Sequence, residues 1–201
     1  DTVTPALIDD IRENEKLVNY LDMPLQHVND AMLAAMHRRG SQAHIRRVLE
    51  HVERMAPDFI LRTTMMVGFP GETDAQFEEL LAFLRDHPFD RVGAFAFSPE
   101  EGTPAAGMPG QIPDEVKQAR LDALMTQQRG ISRRRGQRRV GQEAEVLIEG
   151  VDAHGAFGRS YAEAPDVDGR ILLPGVNAVP GTYRLVRLTH ARDYDMIGEL
   201  L

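Results

Sequence analysis

The residues best placed to do chemistry stand where an apolar run gives way to a turn. Val67-Gly68-Phe69-Pro70-Gly71-Glu72-Thr73 follows the β-branched and apolar stretch 59–67 and precedes a helix start. Turns of this kind lie at the carboxyl ends of parallel strands, where α/β proteins bind ligands. Two glycines let the backbone approach a ligand closely, and the helix N-terminus favours anionic groups. A triphosphate-binding loop needs Lys before the Thr. Glu72 stands there instead, which argues against a nucleoside triphosphate. On pattern alone, a plain tight turn explains the segment equally well.

A second candidate is Tyr20-Leu21-Asp22-Met23-Pro24-Leu25-Gln26-His27, again at a strand end, followed twelve residues after Gln26 by Arg38-Arg39-Gly40. Gln26 could hydrogen-bond a ribose or a carboxylate, and Arg38 could bind a carboxylate through two nitrogens. Together they would bracket one amphiphilic ligand. The residues alone favour the plainer reading of a solvated polar pair and a helix-terminal Arg. His27, His37, His44 and His51 are spaced by ten, seven and seven residues, which makes no compact metal-ligand set. They read as solvated helix histidines. No catalytic side chain and no metal ligand is assigned from the sequence.

Positioning these residues requires alternating strands and helices. Residues 4–14 read as the end of a helix and 17–22 as a short strand. Asn29 caps a helix expected to run to about Gly40. Ile45, Val48, Leu49, Val52 and Met55 make an amphipathic stripe closed by Pro57. After the 59–67 strand, Thr73 and Gln76 form a capping box, with Phe77, Leu80, Leu81 and Leu84 on the apolar face. Residues 91–97 read as a strand, 99–113 as a loop with four Pro and three Gly, and 113–135 as a long polar helix. This order argues for a parallel α/β sheet, with too few strands for a whole barrel. Beyond residue 138 the texture changes to short strands with Gly/Pro turns, including a hairpin expected at Asp168-Gly169. A small β-barrel follows from that pattern.

The bulk composition narrows the function classes. The 201 residues carry a net charge of −8 and no cysteine. Disulfides, thiolate nucleophiles and thiolate-bound clusters within the chain are thereby excluded. An acidic balance disfavours phosphate backbones and suits a basic partner. Six Arg between Arg129 and Arg139 could contact RNA, but a solvated helix end is the preferred reading. Residues 138–201 hold seven Arg against ten Asp and Glu, a poor surface for a dedicated RNA binder. No run approaches a membrane span. The start, Asp1-Thr2-Val3-Thr4-Pro5, lacks the basic and apolar regions of a signal peptide and reads as an excised piece of something longer.

Four motifs in order carry a resemblance over nearly the whole chain. They are the segment Tyr20 to His27, then Met36-His37-Arg38-Arg39-Gly40, then Arg62 through Thr73, and Phe97-Ser98-Pro99-Glu100-Glu101-Gly102-Thr103-Pro104-Ala105. Taken together they resemble the methylthiotransferase family of radical S-adenosylmethionine enzymes, and the C-terminal piece looks like the TRAM domain that ends those proteins. The tRNA-modifying branch usually has Gln-Ser-Gly where this chain has Gln26-His27. It has Thr-Asp at Thr63-Thr64 and Ser-Pro-Arg at Ser98-Pro99-Glu100. On all three counts the chain resembles the branch that modifies a ribosomal protein.

That resemblance implies the C-terminal portion of an open partial (β/α) barrel over residues 1–137, supplying its last three strands. A small antiparallel β-barrel follows over 138–201. It implies S-adenosyl-L-methionine as cofactor, with Gln26 and Arg38 on its polar parts, Thr64 reaching the ribose, and Phe69, Pro70 and Phe97 walling the adenine. It implies two 4Fe–4S clusters in the full-length enzyme, held by cysteines outside this chain, so that the piece alone is inactive. One cluster cleaves the cofactor reductively, and the adenosyl radical takes a hydrogen from an aspartate β-carbon. The second delivers sulfur. The implied partners are a basic small-subunit ribosomal protein docked by the TRAM domain and the N-terminal domains of the same protein, in the cytoplasm and without a membrane. A tRNA-adenosine methylthiotransferase fragment and a non-catalytic ribosome- or RNA-docking module remain the alternatives.

Overall fold

A computed structural model describes residues 3–201. The chain divides into two compact units. One holds Leu21–Gln128 with the N-terminal segment up to Leu17, and the other holds Val18–Tyr20 with Arg129–Leu201.

The first unit is built on a three-stranded sheet, order β1-β2-β3, of β1 (Tyr20–Asp22), β2 (Ile60–Val67) and β3 (Arg91–Ala96). β2 and β3 run parallel, with Arg62, Thr64 and Met66 opposite Arg91, Gly93 and Phe95. Beyond β1, Gln26 forms a parallel bridge to Met65. Pro24 removes one backbone donor from this extension. Thr63 compensates: its buried hydroxyl donates to the Met23 carbonyl at 2.7 Å and accepts from Leu25 N–H at 3.3 Å. From Leu61 onward burial alternates along β2, so Leu61, Thr63, Met65 and Val67 face the core while Arg62, Thr64 and Met66 face the more open side.

The helices of this unit start where side chains can satisfy free N–H groups. Thr4 caps α1 (Pro5–Glu13), Asn29 caps α2 (Asp30–Ala35), and Ser41 caps α3 (Gln42–Met55). Both halves of the Thr73/Gln76 capping box are made at the head of α4 (Asp74–Asp86). The α3 stripe is buried as expected from Ile45 to Val52, but Met55 at its end is exposed. α2 stops five residues before the expected Gly40. His37 takes a left-handed φ of 53°. Arg38 N–H then bonds the Leu33 carbonyl and His37 N–H the Ala34 carbonyl, closing a Schellman motif with His where Gly is usual. The loop after β3 contains one tight helical turn, Pro104–Gly107, before α5 (Asp114–Gln137). Phe59, Phe83 and Phe89 are fully buried in this unit's core. Truncating any of them to Ala is expected to cost about 3–5 kcal/mol. The unit division falls inside α5.

The second unit is a closed barrel of order β4-β5-β6-β8-β7, comprising β4 (Glu143–Asp152), β5 (Gly155–Arg159), β6 (Ile171–Pro174), β7 (Tyr183–Ala191) and β8 (Met196–Leu200). Val146, Ile148, Ile171, Leu173, Val186 and Leu188 fill it. The expected all-antiparallel pairing needs one correction, because β6 pairs with β8 in parallel. A second correction concerns Asp168-Gly169. The tight hairpin lies between Asp152 and Gly155. β5 and β6 are joined by a longer loop in which the Asp168 carboxylate accepts from Ala164 N–H at 2.8 Å. Asp168 organises that loop and makes no two-residue turn. At Gly158 a Cβ would lie 2.1 Å from the Leu147 carbonyl oxygen, so the β4–β5 approach requires glycine.

Candidate functional site

The site grows from the carboxyl ends of β1, β2 and β3. Gln26 N–H donates to the Thr64 carbonyl and its own carbonyl accepts from Met66 N–H, both at 2.8 Å, so Gln26 stands opposite Met65 of β2 and next to Thr64 along the ladder. Gln26 itself holds a left-handed φ of 68°, uncommon for a residue with a side chain. Its Oε1 is buried and has no hydrogen-bond partner. A buried acceptor left unpaired costs about 1–3 kcal/mol.

The turn after β2 follows from its residue types. Phe69 carbonyl accepts from Glu72 N–H at 2.9 Å, with Pro70 and Gly71 between them and Gly71 at φ 83°. Pro at the second position and a positive-φ Gly at the third specify a type II turn. Gly68 is held at φ 74°, and the Lys117 side chain passes where its Cβ would be. The Phe69 and Phe97 rings meet edge to face with centroids 5.2 Å apart. They are buried against Met32, with Ala35, Met36, Met66, Ala105 and Met108 around them. Pro70 is buried too. The chain's own side chains therefore already cover both rings.

Arg38 is exposed, and its guanidinium donates to the Pro24 carbonyl, two residues before Gln26. The fold thus brings Arg38 to the same strand extension as Gln26. A cleft of about 200 Å³ opens beside it, lined by Met23, Pro24, Leu33, Arg38, His44 and Val48. Gln26 does not line this cleft.

His27 and Glu72 are what the sequence reading missed. His27, expected as a solvated helix histidine, lies outside any helix and is fully buried. Its Nδ1 accepts from Val28 N–H at 2.9 Å and Asn29 N–H at 3.0 Å, and its Nε2 faces Glu72 Oε1 at 3.2 Å. The other Glu72 oxygen accepts from Gly68 N–H at 2.7 Å and from Arg120 at 2.6 Å. The spacing of Glu72 four residues after Gly68 was the available signal. His44 and His51 are half-buried, bonded to the Val3 carbonyl and to Asp9, and His37 is exposed. No group of three or more His, Asp or Glu able to hold a metal occurs among the described residues.

Comparison with known proteins gives this geometry relatives. The radical SAM superfamily profile matches residues 1–84, and the TRAM domain profile matches residues 140–201. The ribosomal protein uS12 methylthiotransferase RimO of Syntrophotalea carbinolica is 42% identical over 204 residues, covering 100% of this chain and 45% of the relative. The protein of that name from Desulforudis audaxviator is 44% identical over 200 residues, covering 99% of this chain and 44% of the relative. The chain is similar along its whole length to proteins of the RimO branch. It spans a little under half the length of these relatives. A solved structure, coproporphyrinogen III oxidase (HemN) from Escherichia coli, described as a radical SAM enzyme, superposes with a TM-score of 0.53 at 14% identity. That match covers 94% of this chain and 44% of the other, and bears on the fold alone. No helix among the described residues is long and apolar enough to cross a membrane.

Proposed function

We propose that this chain is the C-terminal part of an enzyme that adds a methylthio group to the β-carbon of an aspartate in a small-subunit ribosomal protein. The observation carrying this reading is identity above 40% along the whole chain to proteins named for that reaction on uS12. Residues 1–137 are the cofactor-holding portion and 138–201 the docking barrel, taking a basic ribosomal protein rather than tRNA. The setting is the cytoplasm, and the remaining domains belong to the same protein.

The side chains fit S-adenosyl-L-methionine. When bound, the cofactor would supply the radical chemistry together with an iron–sulfur cluster. This chain holds no cysteine, so ligands for that cluster and for a second 4Fe–4S cluster come from elsewhere in the full-length protein. The chain's own residues bind and orient. Gln26 offers its orphaned Oε1 to a donor on the cofactor, and Arg38 offers its exposed guanidinium to a carboxylate. Thr64 stands on the open face of β2 within reach of a ribose. Phe69, Pro70 and Phe97 support the adenine from beneath, through the partly buried Met36 and Met66 at the rim of their cluster.

Disrupting the gene tests the reading in the cell. Peptide mass spectrometry of the ribosomal protein should then show the aspartate without its methylthio group, restored by the wild-type gene and less well by Arg38→Ala. An aspartate modified equally in the disrupted strain contradicts the proposal.

A further inference from the structure

Gln26 combines two features that the fold does not relieve by itself. It is a non-glycine residue at φ 68°, and its buried Oε1 has no partner. Both are unfavourable, and such conformations persist only where neighbouring structure over-determines them. The Gln26 N–H and C=O bonds to Thr64 and Met66 supply part of that constraint, and the next residue supplies more. The His27 ring turns back on its own chain, and Nδ1 accepts from the N–H groups of Val28 and Asn29. Nδ1 must therefore present its lone pair, which places the ring proton on Nε2, pointing at Glu72 Oε1. Both side chains are sealed from solvent. The second Glu72 oxygen holds Gly68 N–H and Arg120. One carboxylate thus bolts the segment after β1 to the turn after β2 and to α5.

We propose that His27, held by Glu72, is a positioning residue that fixes Gln26 in its left-handed conformation with the amide oxygen presented to the cofactor. This deepens the reading above and rests on the assignment of Gln26 to S-adenosyl-L-methionine. His27 touches no ligand in this scheme. It removes alternatives: without the Nδ1 acceptor the Val28 and Asn29 amides lose their partner, and without the Nε2 donor the ring loses its anchor. Gln26 then keeps only its own backbone bonds to Thr64 and Met66, at 2.8 Å each, and with the following residues loosened, Oε1 can turn away or find a partner within the protein.

The test is a double-mutant cycle on the full-length, cluster-loaded enzyme, with S-adenosyl-L-methionine affinity read by calorimetry and turnover measured separately. Gln26→Ala is expected to weaken affinity about ten-fold, the loss of one well-placed hydrogen bond. His27→Asn keeps an acceptor near Nδ1 but loses the donor to Glu72. It should weaken affinity by a similar factor while turnover at saturating cofactor changes little. The decisive arm is the double variant, in which His27→Asn should add nothing to Gln26→Ala. Equal further weakening in both backgrounds would make His27 a general structural residue and overturn the inference. Unchanged affinity in Gln26→Ala would instead remove the cofactor assignment, and the inference with it. Should His27→Asn not fold, Glu72→Gln, which keeps the shape of Glu72 and an oxygen acceptor, runs the same cycle with the same two contrary outcomes.

Discussion

Arg120 holds Glu72 Oε2 at 2.6 Å with one guanidinium nitrogen and Asp74 Oδ1 at 2.6 Å with the other. The Glu72 side chain is fully buried and that of Arg120 nearly so, while Asp74 is almost wholly exposed. The stabilising contact is therefore the one with Glu72. Removing one member of a buried pair leaves an uncompensated charge and costs about 3–5 kcal/mol. Arg120→Ala is expected to lose that much, while Asp74→Ala should change stability by less than about 1 kcal/mol. Urea unfolding followed by the helical circular dichroism signal checks both. Equal effects from the two variants would contradict this ranking.

Gly68 makes a sharper case for local necessity. A Cβ there would lie 2.4 Å from Lys117 Cγ, and the backbone sits at φ 74°. Gly68→Ala adds a crowding cost of about 1–3 kcal/mol to the left-handed cost. Gly71 also has positive φ, at 83°, but nothing stands within 4 Å of its Cβ position. Gly71→Ala should lose only the backbone part, about 1–2 kcal/mol. Parallel unfolding curves for the two variants, with Gly68→Ala the less stable, would bear this out. The reverse order would not.

Much of this unit was legible in the sequence. The strand–helix alternation, the Asn29 cap and the Thr73/Gln76 box could be read directly, because each depends on neighbours in the chain. Gln26, Arg38, Thr64, Phe69, Pro70 and Phe97 could be named as a group only through the resemblance; the fold bonds Gln26 N–H to the Thr64 carbonyl and sets the Phe69 and Phe97 rings edge to face. What escaped depends on partners far away in sequence. His27 faces Glu72 across 45 residues, and Glu72 faces Arg120 across 48. No spacing rule reports such pairs. The early stop of α2 escaped for another reason: His37 adopts the left-handed cap usually given to Gly. The parallel β6–β8 pair is a matter of barrel closure, which local alternation does not encode.

His87 gives a pH-dependent prediction. It caps the end of α4, where the helix dipole favours a protonated ring. Burial outweighs this and, with the nearby positive charge of Arg46, lowers its pKa, against the smaller pull of Glu53, Asp86 and Glu50. Arg46 donates to His87 Nε2 at 2.8 Å, a contact that only the unprotonated nitrogen can accept. Between the lowered native pKa and the ordinary value of about 6.5, the unfolded chain binds a proton that the native state refuses. This contribution to stability is complete above that ordinary value and is lost as pH falls through the window. His87→Gln should therefore flatten the stability difference between about pH 7.5 and about pH 5.5, as read by urea midpoints. A slope unchanged from wild type would contradict the assignment.

The central claim is most directly tested by offering the reconstituted full-length enzyme two substrates at once. With S-adenosyl-L-methionine, a reductant and a sulfur source, it should be given the small-subunit ribosomal protein and tRNA in equal amounts. Mass spectrometry of both should find the methylthio group on an aspartate of the ribosomal protein and none on tRNA adenosine. Methylthiolated adenosine with an unmodified protein would contradict it.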